Sequence, residues 1–136
     1  MRRLCVAVVA VAMMGLFVQS ASAHSAFKKA LQEKYDFKSV SCNSCHIKGK
    51  KKTERNDFGK AFKDLQKLDY DGMGLTEKFE AVKAGGNDAE QDAFEEEMKK
   101  AFLKVLEDVE KKESPDGKTW GELLKTADID GIKPKE

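Results

Sequence analysis

The sequence predicts an all-α fold, a single small domain of about four to five helices. Three observations carry this. After residue 24, apolar side chains recur at spacings of three and four over most of the chain. Two capping patterns, Asn87 with Glu90 and Thr119 with Glu122, mark helix starts. No segment alternates apolar and polar residues with a period of two, and no internal repeat is found.

The 136-residue chain opens with a segment unlike the rest. Arg2 and Arg3 precede an apolar run from Leu4 through Val18, and small residues at Ala21 and Ala23 follow. That order matches a secretory signal peptide over residues 1–23, cleaved after Ala23. The run is near the lower length limit for a membrane span and leads straight into the cleavage pattern. No stable membrane span is therefore expected after cleavage, with retention as an anchor the lesser alternative. The working domain is residues 24–136, expected in the periplasm or secreted.

Phe27, Ala30, Leu31 and Tyr35 predict a first helix over 25–36. Val40 to Lys52 holds a cysteine pair and a lysine-rich turn. Phe58, Ala61, Phe62 and Leu65 share one face of a second helix over 57–68. Asp69 to Gly74 reads as a loop. Phe79 and Val82 mark a short helix over 76–84, stopped by Gly85-Gly86. The Asn87 cap opens the longest helix, reaching about Lys112, with Phe94, Met98, Ala101, Phe102, Val105 and Val109 as its buried stripe. Ser114-Pro115-Asp116-Gly117 breaks the chain, and the Thr119 cap starts a last helix carrying Trp120, Leu123 and Leu124. The tail, Lys133-Pro134-Lys135-Glu136, is expected to fray.

Removing Arg2 and Arg3 from the 25 basic residues leaves 23 against 24 acidic ones. So balanced a chain is not an expected nucleic-acid binder. Of three cysteines, Cys5 lies in the leader, so the mature chain keeps only Cys42 and Cys45. A disulfide between them would close a very small loop and stabilise little by chain entropy, which points to chemistry instead.

Cys42-Asn43-Ser44-Cys45-His46 supplies that chemistry. Two thiols separated by two residues can each form a thioether with one vinyl group of a haem. The next residue is then held over the ring, where the His46 imidazole can be the proximal iron ligand. The expected cofactor is one covalent haem c, and the expected fold is helices wrapped around it. Two other readings stay open. A redox dithiol of thioredoxin type needs alternating strands and helices, which the pattern lacks. A zinc site needs four ligands, and beyond the motif only His24 or carboxylates remain.

The motif behind a first helix, followed by helices to the C-terminus, resembles a class I c-type cytochrome. The resemblance implies a small exported monohaem protein that passes single electrons between partners and is not an enzyme. The stretch Lys48 to Gly59, with Arg55-Asn56-Asp57-Phe58-Gly59, is also similar to a group of small exported monohaem proteins. The chain departs from the class I pattern in having no proline between His46 and Pro115. Support for His46 must therefore come from another carbonyl or from packing.

The distal iron ligand is open. Met98 lies downstream on an apolar helical face, where methionine also serves as core filler. Met73 sits in a glycine-flanked loop, and His24, the first mature residue, is a third candidate. An empty sixth position would instead make a five-coordinate sensor, small-ligand binder or weak peroxidase. Lys48, Lys50, Lys51, Lys52 and Arg55 form a basic cluster after the motif, suited to docking redox partner proteins or simply solvated. Asp69, Asp71, Gly74 and Glu80 follow a calcium-loop spacing, but Met73 breaks it and calcium is not expected.

Overall fold

The computed structural model describes residues 23–51, 53–70 and 72–136. The leader predicted over 1–23 lies outside these residues except for Ala23, as do Lys52 and Asp71. The described chain is mostly helical, with four two-residue strands. Helix α1 spans Ala23–Tyr35, α2 Asp57–Ala61, α3 Leu75–Gly85, α4 Asp88–Val109 and α5 Trp120–Lys125. Strands β1 (Ser39–Val40) and β4 (Ile132–Lys133) pair antiparallel, as do β2 (Asp69–Tyr70) and β3 (Met73–Gly74).

Both capping boxes form. The Asn87 side chain accepts from Glu90 N while Glu90 reaches back to Asn87 N, and Thr119 and Glu122 repeat the exchange. Each box satisfies two otherwise orphaned backbone donors, which fixes where α4 and α5 begin.

α4 is the spine of the fold. It packs along α1 and carries Phe94, Met98, Phe102, Leu106 and Val109 into the core. Leu106, not Val105, takes the core position, because a spacing of four, four, four and three keeps side chains on one helical line. Val105 and Ala101 lie at its shoulder, half-buried. The helix stops at Val109, short of Lys112, and the start of α5 bonds to carbonyls just past its end. Gly121 N donates to Glu110 O and Trp120 N to Lys112 O, both at 3.0 Å.

The helix expected over 57–68 is two pieces: α2, then a 3₁₀ turn at Lys63–Lys67. Phe62, Leu65 and Leu68 recur every three residues, the period of a 3₁₀ helix, so the tighter winding turns Phe62 and Leu65 inward. Strands β2 and β3 form a hairpin where a loop was expected, with Gly72 at φ +81° and its N–H bonded to the Asp69 carboxylate at 2.8 Å. Asp69 therefore closes a turn, the role its side chain favours.

The end of the chain does not fray as expected. Ile132, 7% exposed, packs into the main core beside Val40 and Leu124. Lys38 N donates to Lys133 O at 2.9 Å and Ser41 N to Gly131 O at 2.8 Å, and Lys135 pairs with Asp36. One buried isoleucine and a two-residue ladder hold the terminus. The pairing is too short to leave a period-two pattern in the sequence.

Candidate functional site

The motif sits on a turn slung between β1 and α2. Val40 anchors its start in the core, and Cys42–Ser44 wind into one 3₁₀ turn. His46 N donates to Cys42 O at 3.0 Å, and the Ser44 hydroxyl, 2% exposed as a residue, donates to Ser41 O at 2.8 Å. Beyond the turn, His46 forms an antiparallel bridge with Arg55, and Ile47 N donates to Glu54 O at 3.2 Å.

Two glycines let neighbouring backbone close on this turn. At Gly59 a Cβ would lie 2.0 Å from Cys45 O, so α2 can dock here only without a side chain. At Gly131, with φ +78°, a Cβ would lie 2.4 Å from Ser41 Oγ and 2.8 Å from Ser44 N. The motif is thereby clasped between α2 and the C-terminal segment.

Cys42, Cys45 and His46 all line one cleft of about 330 Å³, within the range of small-molecule and cofactor sites. Its apolar walls come from Phe27 and Leu31 of α1, Phe62 and Leu65, Leu75 of α3 and Phe102 of α4. Three of these rings form a column: Phe27 stacks on Phe102 at 4.8 Å between centroids, and Phe102 on Phe62 at 4.9 Å. Lys28, Arg55, Gln66, Thr76 and Glu77 supply polar lining. With its amide oxygen turned toward Arg55, Gln66 accepts from both guanidinium nitrogens, at 2.9 and 3.2 Å.

No disulfide joins Cys42 and Cys45; Cys42 is exposed and Cys45 half-buried. Burial pushes the Cys45 thiol above its ordinary range, and the Ser44 hydroxyl and the Arg55 charge only partly oppose this. Among the described residues no group of three or more His, Cys, Asp or Glu gathers as a metal would require.

The two cysteines and the histidine thus line one cleft without gathering more closely. The two methionine candidates lie outside that lining. Met98, 0% exposed, belongs to a second core cluster with Ala26, Leu75 and Phe94, and Met73 lies half-buried in β3 opposite Tyr70. Neither is among the residues lining the cleft, although Gly74 and Leu75, which follow Met73, do line it. His24 falls in the first turn of α1, one turn ahead of Phe27 and Lys28.

Trp120 packs in the core against Phe58, with centroids 5.1 Å apart. Lys48, Lys50 and Lys51 are exposed. Two contributors had no role in the sequence reading, Asn56, quoted there only within a resemblance, and Gly131. An Asn three residues before a Gly was the available signal for the first, while the second acts only through a long-range approach.

Compared with models of known families, with curated proteins and with solved structures, the chain matches none.

Proposed function

We propose that the protein is an exported monohaem c-type cytochrome acting as a single-electron carrier, with helices packed around one covalently attached haem. The observation that supports this most is the convergence of Cys42, Cys45 and His46 on one apolar-walled cleft. The donor set fits haem c: two thiols three positions apart, an imidazole beside them, and aromatic and aliphatic walls to exclude water from a flat apolar ring. Bound there, the haem would supply one-electron exchange at its iron.

The chain's own residues do the rest. Cys42 and Cys45 would each add across one vinyl group, the thiol proton passing to the neighbouring carbon, so the linkage needs no external oxidant. His46 would hold the iron from the proximal side. Phe27, Phe62 and Phe102 would give a bound haem apolar surroundings, with Lys28 and Arg55 set against Glu77 as the charged lining. Such burial and charge are among the levers that set a haem potential. Outside the cleft, Ile47 is the one exposed large hydrophobic among the described residues, and Lys48, Lys50 and Lys51 follow it. An apolar contact rimmed by lysine suits brief, charge-steered meetings with acidic redox partners. Among the described residues no helix is long and apolar enough to cross a membrane, and export with cleavage after Ala23 puts the carrier in the periplasm or outside.

A second reading, a five-coordinate haem sensor, small-ligand binder or weak peroxidase, is favoured by one observation: neither Met98 nor Met73 lines the cleft. Absorption spectra of the exported protein decide between the two. A low-spin spectrum that turns high-spin when Met98, Met73 or His24 is replaced supports the carrier. A high-spin spectrum that shifts on adding carbon monoxide or cyanide supports the open site and overturns the carrier.

A further inference from the structure

Three consecutive carbonyls of the motif turn, those of Asn43, Ser44 and Cys45, accept hydrogen bonds from a single residue. Asn56 Nδ2 donates to Asn43 O and to Ser44 O, both at 3.0 Å, and Asn56 N donates to Cys45 O at 3.1 Å. The same side chain's Oδ1 accepts from Gly59 N at 2.8 Å and caps α2. The amide's orientation follows from chemistry, since only its NH₂ can face two carbonyls and only its oxygen can face an N–H.

Capping alone does not require this arrangement. A cap needs one acceptor, and serine or aspartate supplies it as well as asparagine does. The two Nδ2 bonds are additional, and both are spent on the turn that carries the cysteines. At the same Cys45 O that Asn56 N reaches, Gly59 presses so closely that no side chain fits between them. With no proline between His46 and Pro115, the backbone at Cys45–His46 has no covalent brace. Its rigidity comes from Asn56, from the Gly59 contact and from the His46–Arg55 bridge.

We propose that Asn56 is a positioning residue for the proximal ligand: it sets the pitch of the Cys45–His46 backbone and thereby the plane of the His46 ring. This rests on the reading that the cleft holds a covalently attached haem. Partners beyond the ligands themselves commonly fix the ring orientation of a metal-ligating histidine through its second nitrogen; here the contact is to the peptide carbonyl that precedes His46. The partner in this chain is a side-chain amide that also caps a helix. One residue therefore couples formation of α2 to the shape of the attachment turn.

The test uses the exported, haem-loaded protein and compares Asn56→Ser with Asn56→Ala. Serine keeps the cap acceptor and loses both Nδ2 donors, whereas alanine loses all three bonds. Two quantities are read: the thermal midpoint, and the proton resonances of the four haem methyl groups in the oxidised protein. Their order and spread depend on the orientation of the axial imidazole plane. The positioning role predicts that both variants displace the methyl resonances alike, while serine recovers much of the thermal midpoint that alanine loses. A serine variant with the wild-type methyl pattern overturns the role and leaves Asn56 as a cap only. Should Asn56→Ala fail to fold, Asn56→Ser alone decides. A wild-type chain that keeps no haem after denaturation overturns the haem reading and this role together. A loaded wild type with an unmoved serine variant overturns only the role.

Discussion

Replacing Gly131 with alanine should loosen the Cys42–Cys45 turn from a distance of nearly ninety positions in sequence, and Gly117→Ala provides its control. Both glycines adopt left-handed backbone, at φ +78° and +79°. An L side chain in that region costs about 1 kcal/mol or somewhat more. At Gly117 nothing lies within 4 Å of the added Cβ, so the conformational cost is the whole effect. At Gly131 the methyl meets Ser41 Oγ at 2.4 Å, Ser44 N at 2.8 Å and Asn43 C at 3.1 Å. The hydroxyl can turn away, but the two backbone atoms cannot. Overpacking of this kind adds about 1–3 kcal/mol, bringing the total to roughly 2–4 kcal/mol. At roughly 4 °C per kcal/mol for a domain of this size, Gly117→Ala should lower the thermal midpoint by about 4 °C and Gly131→Ala by about 8–16 °C. Thermal unfolding of both variants followed by far-ultraviolet circular dichroism measures the difference. Equal losses would refute the close approach of the C-terminal segment to the motif.

Further outcomes follow from other parts of the fold. Ile132→Ala should cost about 2–4 kcal/mol in denaturant unfolding, where a frayed terminus would cost nothing. Leu106→Ala should cost about 2–5 kcal/mol and Val105→Ala clearly less, since only Leu106 lies in the core line of α4. Burial, then the hydrogen bond to Glu110 and its charge, push the Tyr35 hydroxyl above its ordinary value of 10.0. The folded chain holds that proton more tightly than the unfolded chain, so this stability is complete below about pH 10 and drains as pH rises further. Burial works to raise Glu110, but hydrogen bonds from Lys34 and Tyr35 outweigh it and leave the carboxyl low. Its contribution is present above the ordinary carboxylate range and is lost as pH falls through the lowered value. Tyr35→Phe should therefore flatten both ends of a plot of thermal midpoint against pH. Converting Lys50 and Lys51 to glutamate should slow electron exchange with an acidic redox protein at low salt, and the difference should shrink once screening is short-ranged, near 1 M salt.

Helix starts were legible because they are local. Asn87 with Glu90 and Thr119 with Glu122 carry their own partners within three residues, and the structure uses both. Helix ends were less so. Just past α4, Gly121 and Trp120 reach the carbonyls of Glu110 and Lys112, contacts between segments that helical periodicity does not register. The β1–β4 pairing joins Val40 to Ile132 across most of the chain with two residues a side, below what periodicity can register. Likewise, the Cys42–His46 spacing named a candidate site, but not the walls that Phe62, Leu75 and Phe102 bring to the cleft it lines. The sequence left Met98 open as a ligand, with Met73 as its rival. Side-chain placement sets both outside the cleft lining, Met98 behind Leu75 in a core cluster of its own.

The central claim is covalent haem at Cys42 and Cys45, and intact mass after acid denaturation tests it most directly. The protein would be exported from a host that matures c-type cytochromes and stripped of loose cofactor before measurement. The account predicts a chain starting at His24 that is heavier by one haem. The added mass should be absent when Cys42 and Cys45 are both changed to alanine. A wild-type chain of unmodified mass from such a host would contradict the account.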